Sequence, residues 1–75
     1  MTSKRFVVAV HRRDGTTQTI FMDADLRRAA SEAFLVADKL CLTPERPSRS
    51  PARAVTIECD GRLELSITVT PGRPL

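Results

Sequence analysis

Seventy-five residues fall short of the roughly 100 to 150 of a typical globular domain, so residues 1–75 are read as one small domain, too short for a multi-step enzyme. At 41% hydrophobic and 28% charged the chain is too apolar to be disordered, and no apolar run nears the roughly 20 residues of a bilayer span. Met1 to Lys4 leads into strand-like sequence rather than a signal peptide, so a cytoplasmic protein with no membrane contact is expected. The net charge of +3, from 12 basic and nine acidic residues spread along the chain, permits an acidic partner without requiring one.

From Lys4 to Val10 the sequence is β-branched and aromatic, and Thr16 to Met22 repeats that character after Asp14-Gly15, which predicts a β-hairpin. A three-residue loop at Arg13-Asp14-Gly15 pairs Val10 with Gln18, Val8 with Ile20 and Phe6 with Met22. The core face of this hairpin is then Phe6, Val8, Val10, Ile20 and Met22, while Val7, Ala9 and Phe21 are left pointing the other way.

A helix is predicted from about Asp23, whose carboxylate can cap its N-terminus, with Asp25 in the first turn. It ends before Pro44, because proline makes Thr43 a boundary. At helical spacing Leu26, Ala29, Ala30, Ala33, Phe34, Val36, Ala37, Leu40 and Cys41 form one broad apolar stripe. Leu35 falls on the opposite face beside Arg28, Glu32 and Lys39, with no core to enter. Residues 43–52 hold three of the five prolines and are read as a surface connector, and 71–75 as a frayed tail.

Arg53 to Cys59 and Arg62 to Thr70 alternate with period two and predict a second hairpin with one wet face. A two-residue loop at Asp60-Gly61 would set Ile57 beside Glu64. A three-residue loop with a bulge at Gly61 instead pairs Glu58 with Arg62, Ile57 with Leu63 and Val55 with Leu65, and is preferred because it keeps the apolar residues together. The expected fold is α+β: a β-β-α-β-β two-layer sandwich with a four-stranded, mainly antiparallel sheet and one helix on one face. A right-handed crossover from the second strand through the helix to the third makes 2-1-3-4 the simplest strand order.

No constellation carries catalysis. His11 has no cysteine or carboxylate at metal-ligand spacing, so neither a metal nor a cofactor is expected. Cys41 lies on the apolar stripe and Cys59 at a loop, both read as reduced thiols; pairing either with His11 as nucleophile and base would need a thiolate-promoting environment. The glycines sit singly at 15, 61 and 72, so no phosphate loop exists. Function is therefore expected to lie in a surface: a non-enzymatic domain that docks on a larger protein through Val7, Ala9, Phe21 and Leu35, with Arg12 and Arg13 at the rim. The thin core makes a homodimer through the same apolar residues a further expectation. The alternative is a nucleic-acid-binding module using His11, Arg12, Arg13, Arg46 and Arg49, although exposed aromatics for base stacking are scarce. Ten of the 12 basic residues are Arg and Asn, Tyr and Trp are absent, as a GC-rich genome would favour. In size and composition the chain is like the small open reading frames of phages and plasmids of GC-rich bacteria. That likeness of type rests on no residue, and it points to an inhibitor or accessory factor.

Overall fold

The computed structural model describes residues 4–42 and 50–70. Strand β1 (Phe6–Arg12) turns into β2 (Thr17–Asp23), helix α1 (Leu26–Leu42) follows, and β3 (Ala52–Cys59) turns into β4 (Arg62–Thr68). The sheet has the order β2-β1-β3-β4 with every neighbouring pair antiparallel, and the helix contacts all four strands. The expected β-β-α-β-β architecture and strand order are both borne out. Of the proposed connector, residues 43–49 lie outside the described residues, as does the tail 71–75. Ala52 is not connector: it opens β3, buried and paired with Arg12.

The first turn has the expected three-residue form. Arg12 and Thr16 close it by Arg12 N–H to Thr16 O at 2.9 Å, Gly15 N–H donates to Arg12 O at 3.0 Å, and Gly15 takes φ +91°, which glycine adopts without a Cβ clash. Val10 pairs with Gln18 as predicted, but Ile20 is then skipped by a bulge, so that Val8 pairs with Phe21 and Phe6 with Asp23. The expected partners Ile20 and Met22 are exposed instead, and Phe21 packs against the core. The bulge thus places the Phe21 ring on the helix side in place of Ile20 and Met22.

The second turn departs from the preferred reading. Asp60 and Gly61 have φ +52° and +77°, the two left-handed residues of a two-residue hairpin loop whose twist matches that of the strands, and Cys59 pairs with Arg62. That loop sets Glu58 opposite Leu63, and the clash of Ile57 with Glu64 is then avoided by a bulge at Glu64, beyond which Ile57 pairs with Leu65 and Val55 with Ile67. Leu63 therefore leaves the core for the opposite face, where it is 61% exposed.

Helix α1 begins one residue after Asp25, whose carboxylate accepts the Arg27 N–H at 3.0 Å while its carbonyl accepts that of Ala29 at 3.1 Å. Asp25 is thus the cap, and Asp23, expected in that role, instead accepts the Asp25 N–H at 2.8 Å in a preceding turn. The buried line is Ala29, Ala33, Ala37 and Cys41, four residues apart and all small, so the helix sits close on Val8, Val10, Val55 and Ile57. Ala30, Val36 and Leu40 flank it half-buried. Leu26 and Phe34, both expected in the core stripe, are exposed, because close approach buries only a narrow strip of the cylinder.

Candidate partner-binding surface

Because side chains alternate across a strand, the residues between the core positions share the sheet face away from α1. Registers arrange them in three rows across the strands. One row is Met22, Val7, Glu58 and Leu63; the next is Thr19, Ala9, Thr56 and Ser66; the third is Thr17, His11, Ala54 and Thr68. No described element covers this face. Ala9 and Thr56 are buried all the same, shaded by their longer neighbours.

The rows differ in chemistry. The first is an apolar strip interrupted by Glu58, with Met22 and Leu63 well exposed. The other two are small and hydroxyl-rich around a single imidazole. His11 on β1 reaches the strands on both sides of it: Nδ1 lies 3.1 Å from Thr17 Oγ1 on β2 and Nε2 2.6 Å from Thr56 Oγ1 on β3. A neutral imidazole donates through one nitrogen and accepts through the other, and hydroxyls can do either, so both ring nitrogens are satisfied. A shallow concavity of about 410 Å³ lies beside it, lined by His11, Arg53, Ala54, Thr56, Glu58, Leu63 and Ser66.

The hairpin tip at one end of this face is braced by the chain entering β3. Arg12 donates from Nη1 to Ser50 O at 3.0 Å, the Asp14 N–H donates to Ser50 Oγ at 3.0 Å, and the Arg13 N–H to Pro51 O at 2.9 Å. The Asp14 carboxylate accepts the Thr16 hydroxyl at 2.6 Å and the Thr16 N–H at 2.9 Å. These bonds, the hydroxyl's first, hold the Asp14 carboxyl below its ordinary 3.8.

Of the residues expected to bind a partner, Val7 and Ala9 share the open face, Arg13 is exposed at the tip, and Arg12 is half-buried on Ser50. Phe21 does not belong with them: the Ile20 bulge turns its ring to the helix side, and Met22 takes its place beside Val7. Leu35 is exposed as expected but stands on the outer side of α1, away from the sheet. Leu63 was missed, although Asp-Gly flanked by apolar alternation is itself the signal for the two-residue loop that exposes it. For the nucleic-acid alternative, His11 and Arg12 are consecutive strand residues and so face opposite sides, while Arg46 and Arg49 lie outside the described residues.

Among the described residues no three His, Cys, Asp or Glu side chains come together as metal ligands would. Cys41 and Cys59 are both free and buried; Cys59, expected at a loop, ends β3 opposite Phe6. No helix of the described residues is long and apolar enough to cross a membrane. Comparison with protein-family models, curated proteins and solved structures returns no match.

Proposed function

We propose that the chain is a small, non-enzymatic protein-binding domain of the cytoplasm that docks on a larger partner through the open sheet face, as an inhibitor or accessory factor. The observation that supports this reading is the uncovered row Met22, Val7 and Leu63, interrupted by Glu58, beside a shallow, hydroxyl-lined area, with Arg13 and Arg53 at its edge. An apolar centre with an arginine rim is the usual composition of a protein interface, and short side chains let a partner approach closely. Two free thiols accord with a reducing compartment. Nucleic-acid binding has less support, because Phe6 and Phe21 pack on the helix side and Phe34 lies on α1, which leaves the open face only the His11 imidazole, held by Thr17 and Thr56, for a base to stack on.

The test is affinity capture from the native host with quantitative mass spectrometry, using the parent chain and three exposed-site variants. Met22→Lys and Leu63→Lys should each lower recovery of the same partner about tenfold or more, while Leu35→Glu retains it. Equal recovery with all variants removes the proposal, and retention of a fluorescent oligonucleotide with a steep salt dependence would favour the alternative.

A further inference from the structure

Helix α1 is apolar on two sides. Its inner line of small residues meets the sheet, but Phe34 is 50% and Leu35 61% exposed on the outside, beside a broad concavity of about 750 Å³ lined by Arg27, Ala30, Ser31, Phe34, Leu35 and Asp38. Such a surface is costly to leave in water, and the order of its residues is self-complementary. Around the midpoint between Glu32 and Ala33, Arg27 is the counterpart of Asp38, Ala30 of Leu35, and Ser31 of Phe34. Each large side chain thus has a small one as its counterpart, and the cation has the anion. Among the described residues the ion pair is Arg28 with Asp23 at 4.0 Å, and neither Arg27 nor Asp38 forms one.

We propose that the outer face of α1 binds a second copy of this chain, the two helices packed antiparallel about a two-fold axis that passes beside Ser31 and Phe34. A two-fold axis makes each contact occur twice. Leu35 and Phe34 of one copy fill the spaces over Ala30 and Ser31 of the other, where small residues allow the helices to approach to about 8 Å. Arg27 and Asp38, separated by about 16 Å along the axis, form an ion pair at either end of the contact. A parallel pair would instead set Arg27 on Arg27 and Asp38 on Asp38, so charge selects the antiparallel arrangement. The contact is smaller than the roughly 800 Å² per partner of a standard interface, and dissociation in the range of tens of micromolar is expected. The contact uses none of Met22, Val7 and Leu63, so this inference stands independently of the docking proposed above.

Sedimentation equilibrium of the full chain from about 10 μM to about 1 mM tests it, with circular dichroism to confirm folding. The parent should dimerise, and Leu35→Glu, Arg27→Asp and Asp38→Arg should each weaken the dimer about tenfold or more at low salt. An equimolar mixture of Arg27→Asp and Asp38→Arg should form a heterodimer, since each variant then meets its opposite charge at both ends; this arm also shows that both variants are folded. A parent that stays monomeric to about 1 mM, single variants that dimerise like the parent, a mixture that does not associate, or a dimer broken by Leu63→Lys but not by Leu35→Glu would each overturn it.

Discussion

Two residues next to each other in β2 exchange the roles that alternation alone assigns them. Phe21 lies opposite Val8 on the helix side and Met22 opposite Val7 on the open side. Phe21→Ala should therefore cost about 2 kcal/mol of stability, less than for a fully buried ring because Phe21 keeps some exposure. Met22→Ala should stay within about 0.5 kcal/mol. Urea denaturation of both variants distinguishes this arrangement from the unbulged one, in which the order is reversed. Asp14 acts on the same scale through charge. Its folded carboxyl titrates below 3.8, so the stability it contributes is complete above that value and is lost as pH falls through the lower, folded one. The difference in melting temperature between the parent and Asp14→Asn should accordingly be constant above about pH 5 and shrink on acidification below it.

At the scale of elements, the bulges decide which side of the sheet each apolar residue joins. Glu64 is the extra residue of β4, so deleting it preserves every pairing from Cys59–Arg62 to Ala54–Thr68. A chain lacking Glu64 should fold with a melting temperature close to the parent's. Deleting Ser66, two positions on, should either turn Ile67 and Val69 out of the core, at about 1.5 to 3 kcal/mol each, or remove the bulge by setting Glu64 against Ile57 and turning Leu65 out. A domain of this size holds only about 4 to 11 kcal/mol, so that variant should be largely unfolded by circular dichroism. The D-G dipeptide occurs at both hairpins yet makes a three-residue loop at one and a two-residue loop at the other. Thr16 supplies Asp14 with a hydroxyl donor, and Arg62, at the matching position after Gly61, has none for Asp60.

Across the whole molecule, protection should follow the sheet order. The central strands β1 and β3 are hydrogen-bonded on both sides and carry the fully buried Val8, Val55 and Ile57, whereas β2 is an edge strand and mostly exposed. Amide hydrogen exchange should be slowest in β1 and β3 and fastest in β2, and equal protection of all four strands would contradict the observed order. The molecule offers two surfaces on opposite sides: the open sheet face with Met22, Val7 and Leu63, and the outer helix face with Phe34 and Leu35. Both arise from one cause. A small domain with a single thin layer of core cannot hide all its large apolar side chains, and those it leaves out lie on the two outer faces.

Local chemistry alone determined a good part of this protein. The change of hydrophobic period from two to 3.6 and back placed the strands and the helix, and prolines and glycines marked the breaks between them. Short connections then left one simple strand order, and even the pairing of His11 with Thr17 follows from the first turn. Tertiary structure decided the sides. Whether Phe21, Phe34, Leu63 or Leu65 is inside depends on the bulges at Ile20 and Glu64, on the length of the second loop and on how closely four small helical residues approach the sheet. The contact of His11 with Thr56, 45 residues away, depends on the β1–β3 register. A one-residue slip reverses every side chain of a strand, and its energy is set by packing between distant segments, which no local pattern records.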